Sequence, residues 1–121
     1  MTFDALVDSG ADYCVFPVDY GILIGLDVEK GNLLPTHGVG GKEMLYFHNV
    51  KVIVKLGDDC YEFICQAGFS KRMNQRGVGL LGRKGFFSLF NRVIFEENKR
   101  NLILEAEDLI VSKFKHGGPL F

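Results

Sequence analysis

The chain is predicted to be mainly β, on three observations. Fifteen glycines are spread through 121 residues with only three prolines, short apolar runs are separated by turn signals, and the run Val50 to Leu56 keeps a strand's period of two. Helical periodicity is confined to short pieces. Phe3 to Val7 and Tyr13 to Phe16 read as strands on either side of an Asp8-Ser9-Gly10 turn, and Val18 to Leu26 has room for one short helix. The glycines of "THGVGGKEMLYF", at 38, 40 and 41, mark a tip where two further strands meet. Val50, Val52, Val54 and Leu56 alternate with Lys51, Ile53 and Lys55 up to the turn Gly57-Asp58-Asp59. Tyr61, Phe63 and Cys65 continue the alternation, so residues 50–66 form a hairpin.

Val78 to Leu81 is a short apolar strand that stops at Gly82-Arg83, and a helix-like segment follows around Phe86 to Phe90. Phe86, Phe87 and Phe90 recur at helical spacing and read as core or dimer packing. Arg92 to Glu96 and Leu102 to Glu105 flank "ENKR" as a second hairpin. Beyond it, "AEDLIVSKFKHGGPLF" reads as a short amphipathic piece followed by a loose tail. There is no internal repeat and no low-complexity segment.

The composition narrows the function classes. The length suits one domain with a real core, since 47% of the residues are hydrophobic. A net charge of -1 with acids and bases intermixed gives no field for nucleic acid or an anionic membrane. No apolar stretch approaches the roughly 20 residues needed to span a bilayer, and the first residues lack a signal-peptide pattern, so a cytoplasmic chain is expected. Cys14, Cys60 and Cys65 are odd in number and lack paired CxxC spacing, so they are expected as buried reduced thiols. His37, His48 and His116 show no ligand spacing, and no metal or cofactor is expected. Lys71, Arg72 and Arg76 read as a solvated loop. The glycine-rich tip is not a phosphate cradle, because Lys42 is followed by Glu43 rather than Ser or Thr.

The stretch "ALVDSGADYCVFP" places Asp8 between two apolar runs, where strand propensity disfavours it. Taken alone, Asp8-Ser9-Gly10 is a turn in which short polar side chains satisfy local backbone groups. Three features then occur in a fixed order: Asp8-Ser9-Gly10-Ala11, the tip Gly38-Val39-Gly40-Gly41, and Leu80-Leu81-Gly82-Arg83 about 70 residues after the acid. In this order the chain, from about Ala5 to Glu105, resembles a retropepsin-like aspartic protease.

The resemblance implies a retropepsin-like closed β barrel with a flap hairpin, one short C-terminal helix and a shortened N-terminal strand. Residues 1–105 would form the protease domain and 106–121 a C-terminal extension. It implies a homodimer in which each subunit supplies one Asp8 to a shared site, with Ser9 reaching across the axis and Gly10 allowing close backbone approach. One carboxylate would act as general base on water and the other as general acid, with no cofactor. By the same resemblance, Ala11, Asp12 and Leu80 would contact a peptide or protein substrate and Gly38, Val39, Gly40 and Gly41 would close over it. Asp12 and Arg83 would form a structural ion pair. A catalytically silent module for dimerisation or peptide binding is the alternative. Family members carry a longer segment before the acid, including a strand that covers the core, whereas seven residues precede Asp8 here, and "DLIVSKF" is the spare strand-like piece.

Overall fold

The computed structural model describes residues 1–38, 41–56, 58–105 and 112–115. It is mainly β. Strands β1 (Ala5–Val7), β2 (Cys14–Pro17), β3 (Asn32–Gly38), β4 (Gly41–Leu56), β5 (Asp59–Ser70) and β6 (Gly79–Leu81) build one curled half-barrel sheet in the order β1-β6-β2-β5-β4-β3. Strands β7 (Arg92–Glu96) and β8 (Asn101–Glu105) form a separate hairpin, and β9 (Ser112–Lys115) adds to β5 opposite Asp59–Glu62. No helix among the described residues is long and apolar enough to cross a membrane.

The expected hairpin 50–66 is the distal half of a longer pair, β4 with β5, held in register from Tyr46↔Phe69 to Leu56↔Asp59. Alternation decides which side is dry. Phe63, Cys65, Ala67 and Phe69 are buried on β5, whereas Ile64 and Gln66 between them are exposed. On β4, Val50, Val52 and Val54 pack on or into the core, and Lys51 and Ile53 point out. Phe16, Leu81, Phe86 and Phe90 complete that core, each large apolar side chain contributing roughly 1.5–3 kcal/mol on burial. The one α-helix among the described residues, α1 (Val18–Leu23), follows Pro17 and ends before Gly25, within the span expected for it. Its Gly21 lies so close to Val28 and Phe69 that any side chain would collide with them.

Two expectations are corrected. First, no C-terminal helix forms among the described residues around Phe86 to Phe90: there is a single 3₁₀ turn, Phe87–Leu89. Gly85, at φ +101, precedes the segment and Phe90 is already extended, so one turn is all the chain can fit. The phenylalanines still serve the core, with Phe86 tilted against Phe63 and edge-on to Phe87 and Phe90. Second, the described sheet is a half-barrel, not a closed barrel. The outer edge of β1 has no partner strand among the described residues, and β4 beyond Phe47 is paired to β5 alone. The end of the spare strand-like piece "DLIVSKF" is indeed a strand, since the backbone of Ser112–Lys115 pairs with β5. The rest of the extension, residues 106–111 and 116–121, lies outside the described residues, as does Gly57 in the 57–59 turn.

Candidate functional site at the Asp8 turn

Strand β1 is only three residues long, and it is held by parallel pairing with β6 in the register Leu6↔Leu80 and Val7↔Leu81. That pairing continues one step past the strand, where the Asp8 N–H donates to the Leu81 carbonyl at 3.0 Å. The chain then turns. The Ala11 N–H donates to the Asp8 carbonyl at 3.1 Å, and the Gly10 N–H donates to Asp8 Oδ1 at 2.9 Å. A charge-assisted bond from a backbone donor therefore fixes the carboxylate, which is half-buried beside exposed Ser9 and Gly10.

The loop after β6 locks onto this turn. Arg83 N–H donates to the Ala11 carbonyl and Lys84 N–H to the Asp12 carbonyl, both at 2.8 Å. Gly82 makes this crossing feasible, since a Cβ there would lie 2.2 Å from the Tyr13 carbonyl oxygen and 2.8 Å from that of Ala11. Leu80, half-buried, sits between Leu6 of β1 and Val15 of β2. Asp8, Ser9, Gly10, Ala11, Asp12, Leu80 and Arg83 are thus gathered into two interlocked loops.

The Asp12–Arg83 ion pair is a correction. It is not among the ion pairs of the described residues, and both side chains are exposed. The backbone bonds already brace the two loops, and two long, wet side chains gain little by holding one geometry.

Beneath the loops lies a group that the sequence reading missed. Cys14 and Cys65 are buried side by side, and a Cβ on Gly85 would touch both sulfurs, at 3.5 and 2.5 Å. The Cys14 thiol donates to the Lys84 carbonyl at 3.7 Å. Its hydrogen bond with Cys65 lowers the Cys14 pKa, and the same bond, together with burial, raises that of Cys65. All three cysteines are buried and free, as expected from their count and spacing. Lys84 Nζ stands 4.8 Å from the centre of the Tyr13 ring, which itself packs edge-on against Phe47. The sequence signal for this layer was Tyr13-Cys14 following directly on the acid's turn.

The hairpin expected at residues 38–41 is present as β3 and β4, whose last described pair is Gly38↔Gly41, with Val39 and Gly40 outside the described residues. Its stem is tied down. Buried Ser70 donates from Oγ to Glu43 Oε2 at 2.7 Å and accepts from the Met73 N–H, while the Arg72 guanidinium donates to the Lys42 carbonyl at 3.2 Å. Arg72 is therefore more than part of a solvated loop. The sheet order puts this hairpin and β1 at opposite edges, so the curl of the sheet governs their separation. His48 Nε2 is engaged with the Val28 carbonyl at 2.8 Å, a structural role.

What the Asp8 turn offers chemically is one preoriented, partly solvated carboxylate at the end of an apolar strand. Comparison of the chain with protein-family models, with curated proteins and with solved structures returned no match.

Proposed function

We propose that the chain is one subunit of a homodimeric aspartic endopeptidase, with the two Asp8 carboxylates facing each other across the dimer axis. The observation that carries this reading is the Asp8 carboxylate itself, pinned by the Gly10 N–H in a turn that the Gly82 crossing locks from behind. A turn aspartate of purely local purpose does not need a second loop, brought from the far end of the domain, to hold it.

Two like carboxylates brought together cannot both ionise easily, so one shared proton gives identical residues opposite roles. The ionised one takes a proton from water as the water oxygen attacks the peptide carbonyl carbon. The protonated one donates to the carbonyl oxygen, and collapse of the tetrahedral intermediate passes a proton to the leaving amine. Water is the nucleophile, so no acyl-enzyme forms. On this reading Ser9, exposed beside the acid, bonds the partner's loop, and the β3–β4 hairpin covers an extended substrate.

The test is cleavage of a mixed peptide library, read by mass spectrometry, by wild type and by Asp8→Asn. Asp8→Asn keeps side-chain shape and the Gly10 bond but removes the base, and its rate is expected to fall at least about 10³-fold with the fold intact. The wild-type rate is expected to be bell-shaped in pH on the acidic side of neutrality and insensitive to chelators. Equal cleavage by both proteins rules out the aspartic mechanism. A well-folded wild type that cuts nothing favours a silent peptide-binding module.

A further inference from the structure

We infer that the open side of the half-barrel, between β1 and the free edge of β4, is a binding site for an extended apolar strand of another protein. The site is separate from the Asp8 turn and stands whether or not Asp8 cleaves. The gap is a cleft of about 450 Å³ whose walls include Phe3, Phe16, Val52, Val54, Phe69 and Leu81. One rim is the N-terminal segment leading into β1, and the other is the consecutive run Val50–Lys55 of β4.

The run Val50–Lys55 is what selects the occupant. Over these residues β4 pairs with β5 on one side only among the described residues, so alternate N–H and C=O groups on the other side face the cleft. Apolar walls alone would suit a lipid chain. A lipid chain, however, would leave those backbone groups dry and unpaired, at a cost comparable to a lost hydrogen bond for each. An extended peptide satisfies them by continuing the ladder and sets every second side chain into the apolar floor. Six residues of strand span about 20 Å at the usual rise, which suits a short segment rather than a folded domain.

Charge sets a further condition. The charged residues of the lining are both cationic, Lys51 and Lys55. Lys51 is taken up by Glu62 at 3.0 Å, whereas half-buried Lys55 is in none of the ion pairs of the described residues. The strand that fits therefore carries a carboxylate at the end lying against Lys55.

The experiment uses a fluorescein-labelled peptide of seven residues, alternating valine and threonine with glutamate at one end, and follows anisotropy in both wild type and Asp8→Asn, the latter to prevent loss of the probe. Saturable binding is expected, weakened at least about tenfold when alternate peptide nitrogens are methylated, because the backbone bonds they donate are then blocked. In Lys55→Glu the preference is expected to switch to a lysine-ended peptide, and amide NMR shifts should fall on Phe3–Ala5 and Val50–Lys55. Absence of saturable binding overturns the proposal, as does equal binding of the methylated peptide or a response confined to Asp8–Asp12. Palmitate binding by a protein that ignores both peptides identifies a lipid site instead. Association of the chain with itself, abolished by Lys55→Glu, identifies a second copy as the occupant. Should Lys55→Glu fail to fold, the methylation comparison and the shift map on wild type still decide.

Discussion

Gly82 shows how narrowly one residue holds the Asp8 turn. Any side chain there meets the Tyr13 backbone, which cannot move without breaking the bonds from Arg83 and Lys84. Gly82→Ala is expected to cost about 3 kcal/mol, read as a lowered urea midpoint. Arg83→Ala next to it is expected to stay within about 0.5 kcal/mol, because its exposed guanidinium is in no ion pair of the described residues. A large loss in Arg83→Ala and none in Gly82→Ala would reverse the account. At this scale the sequence was partly legible. Asp8-Ser9-Gly10 announces itself as an acid in an unlikely place, because the anomaly is local. The collision behind Gly82 is invisible in sequence, because it depends on a chain segment far away, and the same distance made Asp12–Arg83 look like partners when the backbone bonds run instead from Arg83 to Ala11 and from Lys84 to Asp12.

Among the elements, hairpins were the legible part. The pairs β4–β5 and β7–β8 follow from period-two alternation around a turn, which local sequence encodes completely. The parallel pairing of β1 with β6 was not, since nothing in three residues specifies a partner strand. Nor was the 3₁₀ turn at Phe87–Leu89: phenylalanine spacing mimics a helix, and only the backbone on either side limits its length. Ser70 supplies a test at this scale, because it joins the β3–β4 stem to the end of β5 and to the turn at Arg72–Gln75. Ser70→Ala leaves the buried Met73 N–H without its acceptor and Glu43 without its donor, a loss of about 1–3 kcal/mol. Amide exchange in β3 and the first half of β4 should accelerate more than in β2. Uniform acceleration across the sheet would mean that Ser70 only supports global stability.

For the whole molecule, the sequence conveyed the class, mainly β, but not the closure, because whether a sheet's edges meet depends on strands paired across the entire chain. One Asp8 per chain makes two chains the smallest unit that the proposed chemistry allows. Light scattering over a dilution series is expected to give twice the chain mass at high concentration, with activity falling as the mass falls. Ile103, exposed on β8 opposite Ile94, belongs to the strand Leu102 to Glu105 that the retropepsin-like resemblance would put at the interface. Ile103→Lys should therefore shift the midpoint of dissociation to higher concentration and leave the melting of isolated subunits unchanged. A monomer that cleaves peptides at full rate excludes the dimer.

The parallel partnership of Ala5 with Gly79 also has a consequence in time. During synthesis the segment bearing the acid leaves the ribosome about 70 residues ahead of β6, the strand it pairs with among the described residues, so it is made well before it can find its place. A nascent chain that stops before Gly79 already contains Asp8 and the whole β4–β5 hairpin, but neither β6 nor the Gly82 crossing that locks the acid's turn. Whatever chemistry Asp8 performs is withheld until β6 and Gly82 have been made, a safeguard built from the order of the strands alone.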